Sequence, residues 1–269
     1  MQQKQTNNNK YYQRRRIAFL IFLLSLLIIV IGISIILFSK KMEFDTDIKL
    51  TFSDRSQQLE EFSYEDYYNV GWIQVQGTNI DGPILNKAAH NVELPEISFG
   101  WRSTFYVSGE NREVLVGHNI INVSSTPIRD MEVLDYFEGL LAFTYHDFAQ
   151  ENLYISYNTG DGEELYKIYA IGFNDYEEDD GKSFKTEEET KAYIEKVKKN
   201  SIYNYDVDVN EKDHIITVKT CTRYFGLFEN QEFAVEARKV RDGEEINRYK
   251  VEKSDNYDML SKTNGKENG

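Results

Sequence analysis

Cysteine is nearly absent. Cys221 is the single one among 269 residues, so no disulfide can form within the chain. Proline is almost as scarce, with three residues, which excludes collagen-like and proline-rich linker classes. Positive charge is in deficit: 31 Lys and Arg face 45 Asp and Glu, a formal net charge of −14. That balance excludes a nucleic-acid partner, because neutralising phosphates requires clustered Lys and Arg. Histidine numbers four: His90, His118, His146 and His214. Aromatic residues, at 14%, are too abundant for a disordered chain. The length admits one or two domains.

Acid is missing from the N-terminal end altogether. Residues 1–16 hold Lys4, Lys10, Arg14, Arg15 and Arg16 and no carboxylate. Ile17 to Phe38 then form an uncharged run broken only by Ser25, Gly32 and Ser34. As a helix this run spans about 33 Å, enough for a hydrocarbon core of about 30 Å. No small-residue cleavage pattern follows at Ser39-Lys40-Lys41, so the run reads as an uncleaved anchor rather than a signal peptide. Five cations before it against two after it orient residues 1–16 to the cytoplasm. The remainder then lies outside. Five of the 31 basic residues precede the anchor, leaving 26 against 45 acids and a charge of −19 beyond it. No second apolar run follows, so the C-terminal end is not read as an anchor.

Residues 39–65 read as a juxtamembrane stalk that turns helical near Asp54–Phe62, with Asp54 as N-cap. Residues 66–242 form the main domain, and 243–269 a polar, frayed tail. Strand texture begins at Trp72-Ile73-Gln74-Val75, followed by turns at Gly77-Thr78-Asn79 and Asp81-Gly82-Pro83. Further strands are expected at 103–107, 113–116, 153–157, 165–173, 214–219 and 232–240. In the last, Phe233, Val235 and Ala237 share one face and Glu232, Glu236 and Arg238 the other. A helix is expected over 128–143 from the spacing of Met131, Leu134, Phe137, Leu140 and Leu141. Another opens on the capping box Thr186-Glu187-Glu188-Glu189 and closes on Lys196, Lys198 and Lys199. About eight short strands with few helices predict a mainly antiparallel barrel or sandwich.

An unpaired extracellular cysteine is inert and buried, crosslinks between chains, or is catalytic. Composition alone favours burial. Position favours chemistry: Cys221 ends the run Ile215-Ile216-Thr217-Val218 and precedes Thr222-Arg223, a strand end opening into a loop. Its thiol needs a neighbouring histidine or arginine to become a nucleophile. His118 also ends a strand, after Val114-Leu115-Val116-Gly117. His214 is seven residues from Cys221 on the same strand, about 23 Å away. His90 and His146 read as loop and surface-turn residues. The acidic run Asp175–Asp180 lacks the spacing of an EF-hand and reads as a solvated loop, with no metal.

Val116-Gly117-His118-Asn119 resembles the V/Y-G-H-N segment of the sortase family, the cysteine transpeptidases of Gram-positive surfaces. Thr217-Val218-Lys219-Thr220-Cys221 resembles that family's T-L-x-T-C segment. Gly71-Trp72-Ile73, Gly77-Thr78-Asn79-Ile80-Asp81 and the helix before the cysteine strand resemble class B. The likeness covers about residues 65–242. It implies a closed antiparallel eight-stranded sortase-type barrel with peripheral helices and no cofactor. Cys221 would attack a carbonyl in the sorting motif of a surface protein, and His118 would protonate the departing amine. The thioacyl-enzyme would be resolved by a peptidoglycan amine. A pilin lysine would be the acceptor in a pilin polymerase. Thr220 and Asn119 would contact the substrate. The family arginine opens the strand after the cysteine, where this chain has Glu232. Three readings stay open: Arg223 serves instead, with Arg238 ranked below it; Asn230 or Gln231 act as neutral donors; or activity is lost and the barrel is a binding scaffold.

Overall fold

The computed structural model describes residues 2–41, 46–61, 69–85, 105–108, 111–175, 184–226 and 231–265. It divides into two units, Met1–Thr46 and Asp47–Gly269. The first is essentially one helix, α1 (Gln2–Lys41). Its stretch Arg14–Ser34 is long and apolar enough to cross a membrane, and its large apolar side chains are exposed. Ser25, a polar residue inside that stretch, donates its hydroxyl back to the Phe22 carbonyl at 2.8 Å, so it leaves no unsatisfied donor.

The second unit is built on one mixed sheet. Its strands are β1 (Asn69–Val75), β2 (Asp81–Leu85), β3 (Phe105–Ser108), β4 (Arg112–Gly117), β5 (Tyr154–Asn158), β6 (Glu163–Asp175), β8 (Ile215–Thr222) and β9 (Gln231–Lys239). They run in the order β2-β1-β5-β6-β9-β8-β4-β3. Two features expected of this barrel need correction. It is not wholly antiparallel, because β4 and β8 pair in parallel, Arg112 against Ile215 through Gly117 against Thr220. Nor is it fully closed: the edge strands β2 and β3 touch, but no ladder joins them among the described residues. Side chains from alternate positions fill the interior, among them Ile73, Leu115, Ile155, Ile168, Val218 and Val235.

β2 was expected to be a turn. Asp81-Gly82-Pro83 instead pairs with β1, Trp72 against Pro83. Proline lacks a ladder donor, and it is tolerated here because β2 is an edge. Ahead of the sheet, α2 (Ser56–Glu61) is led by Asp54, whose carboxylate accepts the Ser56 amide at 3.0 Å. Residues 47–61 lie along the barrel: Ile48, Leu50 and Phe52 pack on the core, and the Gln74 amide bonds both backbone groups of Ser53.

The expected helix over 128–143 is also corrected. The chain forms turns through 131–133 and a 3-10 segment, Tyr136–Thr144, before α3 (His146–Glu151). The reason is competition for backbone groups. Asn122 takes both the amide and the carbonyl of Ile128, and Asn79 takes the carbonyl of Leu134. The later helix forms as expected. In α4 (Glu187–Asn200) the Thr186 hydroxyl accepts the Glu189 amide, while the Glu189 carboxylate accepts from Lys185. Thr190, Ile194 and Val197 form its buried face.

The described residues after 242 are not frayed. Strand β10 (Val251–Lys253) pairs with β7 (Tyr203–Tyr205), and the buried Tyr249 hydroxyl donates to the carbonyls of Leu153 and Ile168. Their aromatic residues, hidden in a polar composition, account for the packing.

Candidate active site

The parallel β4–β8 pair puts two strand ends side by side. Gly117 is level with Thr220 in the ladder. One residue further, His118 leaves β4 where Cys221 stands in β8, on strands about 4.8 Å apart. The Thr220 hydroxyl, buried, donates to the Gly117 carbonyl at 2.6 Å and ties the two ends. Gly117 is required by packing. A Cβ there would lie 2.2 Å from the Phe137 ring.

Beyond the strands, the two loops are stitched together. The Asn119 amide donates to the carbonyls of Cys221 and Asn122, both at 3.0 Å. The Arg223 amide donates to the Val123 carbonyl at 3.2 Å. Glu138 anchors the histidine loop from below. Its carboxylate, 2% exposed, accepts the amides of Ile120, Ile121 and Asp135 at 2.7, 2.8 and 2.9 Å. Asn122 donates to the Glu138 carbonyl at 2.7 Å. His118 is half-buried, and Cys221 is half-buried at the end of an otherwise buried strand.

Cys221 sits across the β8–β9 ladder from Glu232. Burial pushes its thiol above the ordinary range, and the Glu232 carboxylate pushes the same way; Lys219, the residue's own backbone and Arg223 oppose them. Glu232 is not an isolated charge. Lys219 reaches it at 2.6 Å, with both side chains 5% exposed or less. The next polar row along this sheet face is also buried: Arg112 and Glu236 share the Thr217 hydroxyl, and Tyr193 of α4 bonds both.

The structure therefore brings Cys221, His118, Asn119, Thr220 and Arg223 together. The Thr220 side chain is buried and engaged with Gly117. The amide of Asn119 is engaged with backbone. Arg223 is exposed, and its side chain has no hydrogen bond among the described residues. Arg238 lies at the far end of β9, where it grips Glu244 and the Asp208 carbonyl. Gln231 faces Thr222, and its side-chain oxygen is buried without a partner among the described residues. Asn230, His90 and residues 176–180 lie outside the described residues. His146 is structural: its Nε2 lies 2.9 Å from the Val251 carbonyl and its ring stacks on Tyr203. His214 sits 3.4 Å from Glu113, away from Cys221. Sequence reasoning missed Glu138 and the Lys219–Glu232 pair. The available signals were an acid inside the apolar run Phe137-Glu138-Gly139-Leu140-Leu141 and a lysine inside a core strand.

No protein-family model matches the chain. Sortase B of Staphylococcus aureus is 25% identical over 161 residues, and sortase B of Listeria monocytogenes is 27% identical over 166. Each alignment covers 56% of this chain and 62% of the relative, so the chain spans less than two thirds of either. The structure of a Staphylococcus aureus sortase B–substrate complex matches with a TM-score of 0.55 at 20% identity, over 77% of this chain and 91% of that one. By fold and by sequence similarity, the chain resembles the class B sortases.

Proposed function

We propose that this protein is a membrane-anchored cysteine transpeptidase acting on surface proteins that bear a C-terminal sorting motif. The observation that carries the reading is the parallel register that sets His118 beside Cys221 at one open end of the barrel. In the first half-reaction the Cys221 sulfur attacks the backbone carbonyl of the motif. The C–N bond breaks, and the departing amine takes a proton from His118. In the second, an acceptor amine attacks the thioester and gives its proton to His118, and the Cys221 thiolate leaves. Arg223 is the guanidinium assigned to the tetrahedral oxyanion. A cell-wall amine is the assigned acceptor. Residues 17–38 hold the enzyme in the membrane with residues 1–16 inside and the barrel outside, following the charge asymmetry.

One observation favours a second reading. Glu232 faces Cys221, and an acid there opposes both a thiolate and an oxyanion, as in a sortase-type barrel that binds without catalysing. Intact-mass measurement of the full chain in detergent, incubated with a library of sorting peptides, separates the two. Catalysis gives a thioacyl adduct in the wild type, none in Cys221→Ala and at least tenfold less in Arg223→Ala. An unmodified Cys221 across the library supports the binding reading. A full adduct in Arg223→Ala removes Arg223 from the mechanism.

A further inference from the structure

The buried Lys219–Glu232 pair stands where stability gives it little reason to be. Two charges withdrawn from water gain little over a well-packed apolar pair. Its placement relative to Cys221 is specific. Thr217, Lys219 and Cys221 share one face of β8, by the two-residue period of a strand. In the ladder Lys219 faces Ala234 and Cys221 faces Glu232. On its other side Lys219 is level with Val116 of β4. Ala234 offers only a methyl group, so the lysine stem has room to lean along the sheet. It does so toward Cys221: its ammonium leaves its own row and meets the Glu232 carboxylate at 2.6 Å, one row, or about 6.6 Å, nearer the open end.

We infer that Lys219 and Glu232 act together as a positioning pair that sets the ionisation of Cys221, with Lys219 the fixed cation beside the sulfur and Glu232 the group that draws it there. The pair takes the place of a single cross-strand cation, and its two members pull in opposite directions. Glu232 disfavours the thiolate and Lys219 favours it. Among the described residues, the other groups at Cys221 are His118 at the end of β4 and Arg223 after β8. Asn174 of β6, level with Glu232, is neutral. A neutral pair this close to the sulfur buffers the thiol, and either partner removed alone unbalances it.

This inference rests on Cys221 being the nucleophile, but its test needs no substrate. Because the chain has one cysteine, iodoacetamide alkylation followed by intact mass reports Cys221 alone. The full chain in detergent is alkylated across a pH series, and the midpoint of the rate profile gives the thiol's ionisation. Lys219→Met removes the cation that Glu232 meets and keeps the acid. Its midpoint rises, and a rise of about one unit makes alkylation near pH 7 about tenfold slower. Glu232→Gln removes the acid and keeps the cation, so its midpoint falls and the rate rises by a comparable factor. Lys219→Arg keeps the wild-type profile, and Lys219→Met combined with Glu232→Gln falls between the single variants. A merely structural pair shifts the unfolding midpoint and leaves the alkylation profile alone. Where Lys219→Met does not fold by circular dichroism, Glu232→Gln and the double variant carry the test. Coincident alkylation profiles in the folded variants overturn the inference. Shifted profiles without any thioacyl adduct sustain it while refuting the transpeptidase reading.

Discussion

Replacing Glu138 by Gln tests whether the histidine loop is positioned from beneath. The wild-type carboxylate accepts three backbone amides, two on Oε1 and one on Oε2, from within 2.9 Å. A hydrogen bond to a charged acceptor contributes about 1.5–3 kcal/mol. The three do not add fully, because Ile120, Ile121 and Asp135 are exposed and their amides regain water when released. In the Gln variant one oxygen remains to accept, and the new NH2 group faces an amide that also donates. One charge-assisted bond is lost and the others become neutral, a loss of about 2 kcal/mol. The kinetic effect follows from placement. His118 is two residues from the anchored Ile120, and a misplacement of about 1 Å costs about 100-fold in rate. The assay pairs urea unfolding with single-turnover thioacyl formation and Cys221 alkylation. The expected result is about 2 kcal/mol less stability, adduct formation slowed at least tenfold, and alkylation slowed far less than adduct formation. Wild-type stability and adduct rate refute the anchoring argument. A parallel fall in alkylation refutes it differently, by showing that the damage extends to the cysteine strand.

Two further outcomes follow from packing and charge. Gly117→Ala drives a methyl into the Phe137 ring and loses about 1–3 kcal/mol in chemical unfolding, with Phe137→Leu in the same chain restoring part of it. Glu244 is held well below the usual carboxylate range by the Arg238 guanidinium, against the opposing effect of its burial, with Lys167 and the Arg241 amide assisting. A depressed carboxyl contributes stability that is full above its unfolded value, about 4.3, and is lost as pH falls toward the lower folded value. Glu244→Gln strands the buried Arg238 and lowers stability at pH 7 by up to about 3 kcal/mol, given that Glu244 is itself partly exposed. The gap between variant and wild type narrows in urea titrations run below pH 4. A constant gap across that range contradicts the assignment.

Most strands were legible from alternation, as in Trp72–Val75, or from a run of β-branched residues, as in Ile215–Val218. The α4 cap was legible because Thr186 and Glu189 stand at capping distance in sequence. The failures share a physical cause. At 128–143 the apolar spacing was helical, but Asn122 and the more distant Asn79 claim the carbonyls of Ile128 and Leu134 that a helix needs. At 81–85 a turn-forming tripeptide became an edge strand because β1 presented a partner. The polar side of β9 is the most instructive. Glu232, Glu236 and Arg238 alternate with apolar residues, the pattern of a half-solvated strand, yet all three are buried. Each has its counter-group on another element, at Lys219, Thr217 and Glu244, and local sequence holds no trace of those pairings. The sequence presents Cys221 and His118 as separate strand ends; that they meet depends on strand direction, which periodicity does not encode.

Strand direction is the step by which the fold becomes a candidate for chemistry. In an antiparallel β4–β8 pair, the C-terminal end of one strand lies beside the N-terminal end of the other. Cys221 would then neighbour the Arg112 end of β4, under the face covered by Tyr193, and His118 would neighbour His214. The parallel pair instead places both C-terminal ends at one rim, where each chain leaves the sheet into a loop and the thiol is half-open. The same register leaves the neighbouring position of β9 to be filled from an antiparallel strand, whose residue opposite Cys221 is an acid. An uncompensated acid there would disable a thiol already disfavoured by burial. The lysine two residues before the cysteine reaches that acid across a β9 position filled by alanine. An Ala234→Leu substitution that displaces Lys219 should therefore raise the alkylation midpoint of Cys221 as Lys219→Met does, and an unchanged midpoint would separate the acid's tolerance from the lysine.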